Sequence, residues 1–222
     1  MVDFSVLKIK NYNDIPGKIS EEQCLEIIEI AKSIPKNSTV IEIGCAWGKS
    51  SWAWMHGLPS GTRFISIDPF KDDIQAVKQK ELKKQRDLKK DNPVILSILK
   101  FWESTTVHDT ITKVLKYHPK RQLIDHQIFC GTSDEFDISN IDRLACVYID
   151  GDHTYDYVTN DLEKYGSISE IICGDDYKPL NTLFSHKPLV GVVHAVNDYS
   201  KKTNRTLSVN LKSSFWKLLL DK

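Results

Sequence analysis

The residues able to do chemistry cluster where short apolar runs end. Gly44-Cys-Ala-Trp-Gly48-Lys49-Ser50 follows one run and Asp68 ends a second. Asp150 and Asp152 follow a third, and Asp175 and Asp176 a fourth. Any one of these acids could cap a helix N-terminus. Acids after three strands of one sheet would converge on one edge, where they repel unless something cationic or hydroxyl-rich lies between them. The glycines let the backbone turn tightly and approach a ligand. Together these types suit binding of a polyhydroxylated ligand, a hard divalent cation and proton transfer.

The elements that must position these residues are legible from patterning. Ser20-Glu-Glu-Gln23 has the form of a capping box, and Cys24, Ile27, Ile28, Ala31 and Ile34 follow on one helical face that stops near Pro35. Thr39–Gly44, Arg63–Asp68, His126–Cys130, Ala145–Asp150 and Glu170–Gly174 read as buried strands, with room for helices between most of them. This alternation predicts an α/β fold with a mostly parallel sheet. Thr206–Asn210 and Phe215–Leu220 leave no space for a helix and predict an antiparallel hairpin closing a seven-stranded sheet. The stretch from about 71 to 120 is too long for a simple crossover and predicts a helical insertion. Its basic part, Lys78–Lys90, reads either as a solvated helix face or as a lid, with Ile95, Leu96, Ile98, Leu99 and Trp102 as the packing face.

The chain of 222 residues suits one domain spanning 1–222. Thirty basic and thirty acidic side chains cancel, which argues against a nucleic acid or membrane partner held by bulk charge. The five cysteines include no C-x-x-C pair, and Cys45, Cys146 and Cys173 read as small buried hydrophobes. Met1–Lys8 lacks a basic stretch before a long apolar core, and no apolar run could span a bilayer, so a cytoplasmic setting is expected. Whether copies associate as a homo-oligomer stays open.

Three nucleotide-type sites can begin with such a glycine segment. A dinucleotide site wants G-x-G-x-x-G, and bulky Trp47 with no middle glycine disfavours it. A P-loop wants four residues between its glycines where this chain has three, yet Gly48-Lys49-Ser50 and the strand ending at Asp150 keep a P-loop kinase or NTPase as the alternative. The third form fits best: Glu42-Ile-Gly44-Cys-Ala-Trp-Gly48 resembles the opening motif of class I S-adenosylmethionine (SAM) methyltransferases.

The resemblance extends through Pro16–Ser20, Gly48–Ser51, Ile67-Asp68-Pro69, Gly131-Thr-Ser133, Ile149-Asp-Gly-Asp-His-Thr-Tyr155 with Asp161, and Gly174-Asp-Asp-Tyr177. Val190–Val196 adds a weaker match. These motifs look like the metal-dependent branch acting on sugars and small molecules, including macrolide- and aminocoumarin-sugar O-methyltransferases. Gly166-Ser-Ile-Ser-Glu170 replaces that branch's proline-glycine-glycine turn, and the 71–120 crossover is longer than the branch implies.

The resemblance implies a Rossmann-like, doubly wound sheet and a SAM site. Gly44 and Gly48 would shape the loop, and the helix start with Ser50 or Ser51 would meet the SAM carboxylate. Asp68 would accept the ribose hydroxyls, Glu42 would orient the loop or the SAM amine, and Thr132 and Ser133 would lie near adenine. Asp150 falls in both the cofactor and the metal set. With Asp175 and Asp176 it would hold Mg2+ or another divalent cation. Asp152 would be the general base, with His153 the other candidate. The implied acceptor is a hydroxyl of a sugar, glycan or other small molecule.

Overall fold

The computed structural model describes residues 9–71, 75–178 and 187–220. In chain order the elements are α1 (Glu21–Ser33), β1 (Thr39–Ile43), α2 (Lys49–Gly57), β2 (Arg63–Asp68), α3 (Gln75–Leu88), α4 (Pro93–Glu103) and α5 (Val107–Lys116). They continue with β3 (Asp125–Cys130), β4 (Leu144–Ile149), α6 (Tyr155–Gly166), β5 (Ser169–Gly174), α7 (Lys187–Thr203), β6 (Thr206–Asn210) and β7 (Phe215–Leu219). The strands form one sheet in the order β3-β2-β1-β4-β5-β7-β6. β1 to β5 pair in parallel, and β7 joins β5 and β6 antiparallel.

This is the expected architecture, and strand alternation explains its two layers. Val40, Phe64, Cys146, Tyr148, Cys173 and Phe215 face one core, which they share with α1, α2, α4 and α5. Ile41, Ile43, Ile65, Ile67, Val147, Ile149, Ile172 and Trp216 face the other, which they share with α6 and α7. The central strands are buried on both faces, as their apolar-rich sequences require, and Glu42 and Ser66 are polar residues buried with them in β1 and β2. Chain direction across the sheet reverses between β1 and β4, and such a switch point opens a crevice beyond the strand ends.

The helix starts follow their sequence signals. Ser20 and Gln23 exchange the two hydrogen bonds of a capping box at α1, and Cys24, Ile27, Ile28 and Ala31 are buried along its inner face. The insertion is three helices, α3 to α5. α4 opens at Asn92, which caps Val94 and Ile95, with Pro93 at the first helical position. Ile95, Ile98, Leu99 and Trp102 lie in the main core, and Leu96 is only half-buried.

The insertion is tied to the glycine segment. Trp102 on α4 meets Trp47 edge to face, with ring centroids 5.0 Å apart. Ile111 on α5 packs so closely on Gly48 that a Cβ there would come within 2.9 Å of it. On α3, Lys78 caps the carbonyl of Thr105 and lies over the Trp102 ring, while Leu82 and Gln85 turn inward. Thus α3 has a packed face, although most of its lysines are exposed.

If α4 is part of the core, Ile98→Ala will lower global stability by about 2–5 kcal/mol, the usual cost of a large-to-small core change. Urea unfolding measures this. A loss below about 0.5 kcal/mol would mean that the insertion is only loosely attached.

Candidate active site

One cavity of about 870 Å³ lies at the switch point, beyond the carboxyl ends of the parallel strands. Gly44, Ser50, Asp68, Thr132, Ser133, Asp150, Asp152, His153, Asp175 and Asp176 all line it. Glu42, Gly48 and Ser51 do not; they stand behind the loop.

Gly44 has φ +87°, and a Cβ there would fall 2.2 Å from the Asp150 carbonyl oxygen. No side chain fits, so β1 and β4 meet backbone to backbone at the cavity floor. The Asp150 amide donates to the Ile43 carbonyl and the Gly44 amide to that of Ile67, joining three strand ends. Gly48, also left-handed, begins α2 and leaves the helix start without a side-chain cap. The uncapped helix start, with its positive dipole end, is a place that could receive an anion.

Asp68 organises the loop from β2. Its Oδ2 accepts from the amides of Cys45 at 3.0 Å and Ala46 at 2.9 Å, and its Oδ1 from that of Phe70 at 2.6 Å. Asp68 thus ties the loop after β1 to the turn after β2 at the edge of the cavity.

Glu42 supports the loop from below. Its Oε2 accepts from Ser51 at 2.5 Å and Ser66 at 2.9 Å, and Ser66 lies 3.0 Å from His126 Nε2. Burial pushes the carboxyl up to about 7, with the serine hydroxyls opposing the shift. Glu42 thus bonds α2 and β2 beneath the loop and does not reach the cavity.

The acids beyond β4 and β5 form the most charged part. His153 Nε2 lies 3.6 Å from Asp150 Oδ1 and 3.2 Å from Asp176 Oδ2, without hydrogen-bond alignment to either. Among the described residues, Asp150, His153 and Asp176 are the group whose ligand atoms lie within 4.8 Å of one another. The expected set contained Asp175, whose carboxylate instead accepts from Gln23 Nε2 and from the Asp176 amide. Burial, then the charges of Asp150 and Asp176, push Asp175 up to about 8. Burial also raises Asp150, against the opposing pull of His153. For His153, burial pulls downward, but the neighbouring acids outweigh it and leave the imidazole raised. The imidazole nitrogen thus lies between two carboxylates at the cavity wall.

Asp152 is exposed at the rim and accepts from the Thr154 amide at the start of α6. It therefore braces the turn that leads into α6 and lines the cavity at once. Asp161 is buried against Ser133, and burial raises it to about 7. The loop after β3 is held from α6: Lys164 donates to the carbonyls of Ser133, Asp134 and Phe136, and Tyr165 to that of Ser133. Thr132 spends its hydroxyl on Glu135.

Sequence reasoning missed the second role of Gln23. Its carbonyl closes the capping box while its amide group holds Asp175, and only the first is visible in a spacing pattern. Lys49 is also redirected. It is buried and donates to the Ile19 carbonyl at 2.8 Å, so it does not serve as a phosphate lysine. That removes the main support for a P-loop.

No protein-family profile and no curated protein matches the chain. Solved structures do. The O-methyltransferase TomG from Streptomyces achromogenes, involved in tomaymycin synthesis and solved with SAM, aligns at 13% identity over 92% of this chain and 82% of its own, with TM-score 0.51. The O-methyltransferase from Bacillus cereus, solved with S-adenosylhomocysteine (SAH), aligns at 12% identity over 91% and 83%, with TM-score 0.50. Cofactor-bound Rv0187 from MTB aligns at 12% identity over 91% and 81%, with TM-score 0.53. What these structures share with the chain is the fold, a Rossmann-like seven-stranded sheet with a terminal antiparallel hairpin.

Two predictions follow from the loop. Gly44→Ala combines a left-handed backbone with a backbone clash and should cost about 1–3 kcal/mol or more by urea unfolding. Burial raises the Glu42 carboxyl from its ordinary value of about 4.5 to about 7, so the native state holds an extra proton between those two pH values. Native stability should therefore fall as pH rises through this window, by up to about 3 kcal/mol. Glu42→Gln should remove that component, and equal slopes in both proteins would contradict the assignment.

Proposed function

We propose that the protein transfers a methyl group from SAM to a hydroxyl of a sugar, glycan or other small molecule, with help from a divalent cation. The observation that carries this reading is a single cavity joining the Gly44 loop, Asp68, Ser133 and the Asp150–His153–Asp176 group. The cradle fits SAM. Gly44 leaves its floor bare, the α2 start with Ser50 can meet a carboxylate, and Asp68 can accept from a ribose hydroxyl.

The acid group fits a cation as well. Two carboxylates and an imidazole nitrogen aimed between them form a mixed oxygen and nitrogen set, suited to Mn2+ as well as Mg2+. Asp150, His153 and Asp176 would hold the ion, and Asp175, tied to Gln23, would brace them. A cation bound there would lower the pKa of an acceptor hydroxyl. Asp152, at the rim, would take the hydroxyl proton as the oxygen accepts the methyl group, and alignment of the two reactants would supply much of the rate. The five cysteines are all free, which suits a reducing, cytoplasmic setting.

Transfer of labelled methyl from SAM to a panel of sugars and phenols tests the reading. We expect incorporation that stops with EDTA and returns with Mg2+ or Mn2+. Asp176→Asn and Asp152→Asn should each lower turnover by about a hundredfold or more. Undiminished turnover in EDTA would rule out the metal role, and near-normal turnover of Asp152→Asn would rule out the base.

A further inference from the structure

We propose that the acceptor carries a phosphate group, bound by Lys18 and Lys84 at the mouth of the cavity. This rests on the methyl-transfer reading above. Six lysines line the cavity: Lys18, Lys49, Lys71, Lys84, Lys178 and Lys212. Three are already engaged. Lys49 donates to the Ile19 carbonyl, Lys178 pairs with Asp176 at 2.7 Å, and Lys212 lies 3.4 Å from Glu22. Lys18, Lys71 and Lys84 are exposed and have no carboxylate partner among the described residues.

SAM does not account for these charges. It has one carboxylate, which the start of α2 can receive, and its sulfonium and amine favour the acidic floor. Lysines left at the mouth therefore match a second anion, one carried by the acceptor. Their placement supports this. Lys18 precedes α1, and Lys84 projects from α3, the helix whose Leu82 and Gln85 are anchored inward. The two come from separate chain segments to the same cavity. Lysine binds phosphate as a mobile point charge, which suits exposed side chains around an opening. The acids among them, Glu22 and the strand-end aspartates, disfavour a polyanion laid across the site, which points to a small phosphorylated molecule such as a sugar phosphate or nucleotide sugar.

Calorimetry on the SAH-saturated protein tests the proposal, with EDTA present so that phosphate does not bind through a metal. The probes are glucose, glucose 1-phosphate, UDP-glucose and a single-stranded oligouridylate. The phosphorylated sugars should bind at least about tenfold more tightly than glucose, and added salt should weaken them. Lys18→Ala/Lys84→Ala should abolish that preference while SAH binds as before, and Lys84→Glu alone should weaken it. Equal binding of glucose and glucose 1-phosphate would overturn the proposal, as would indifference to both variants. Tightest binding of the oligouridylate would overturn it in favour of a polymer. Failure of the unmodified protein to bind SAH would instead contradict methyl transfer itself.

Discussion

The close approach of Gly44 to the backbone of Asp150 is the constraint on which the site depends. Parallel strands can carry loops of many shapes, but here the end of β1 meets the end of β4 with no room for a side chain. The contact places the glycine loop and the first acid in one crevice. Asp68 then fixes the loop from β2 through two amides, so three adjacent strand ends share one hydrogen-bonded floor. A residue with a Cβ at position 44 would separate binding loop from acid, whatever chemistry followed.

That floor brings like charges together, and the surrounding structure holds them. Lys178 and His153 face Asp176, the Tyr148 hydroxyl reaches Asp150, and Gln23 ties Asp175 to α1. The terminal hairpin is the buttress. Trp216 donates to the Asp175 carbonyl and Tyr177 to that of Ser214, while Glu26 on α1 accepts from Asn210 and Ser213. Thus β6 and β7 complete the sheet and also fix the acidic turn after β5. The insertion does the same on the other side, through Trp102 on Trp47 and Ile111 on Gly48.

Most of the fold was legible because its signals are local. Capping at Ser20, glycine after β1 and short β-branched runs each have a physical cause within a few residues. The hairpin was legible because Leu211–Ser214 leaves no space for a crossover. The site was legible as a set of strand ends, since topology brings those ends together. The partners of individual side chains were not. Gln23 and Asp175 are 152 residues apart, and nothing in either segment announces the bond. Lys49 looked free to bind a ligand until the chain before α1 placed the Ile19 carbonyl against it. His153, the second candidate base after Asp152, lies between two acids because of how the β4 and β5 turns pack, which spacing does not encode.

The most direct measurement of the central claim is calorimetric titration of the purified protein with SAH, with Mg-ATP as comparator. The account predicts micromolar binding of SAH, lost when Asp68 is replaced by alanine, and none of Mg-ATP. Binding of Mg-ATP alone would contradict it and restore the phosphate-loop alternative that the engaged Lys49 argues against.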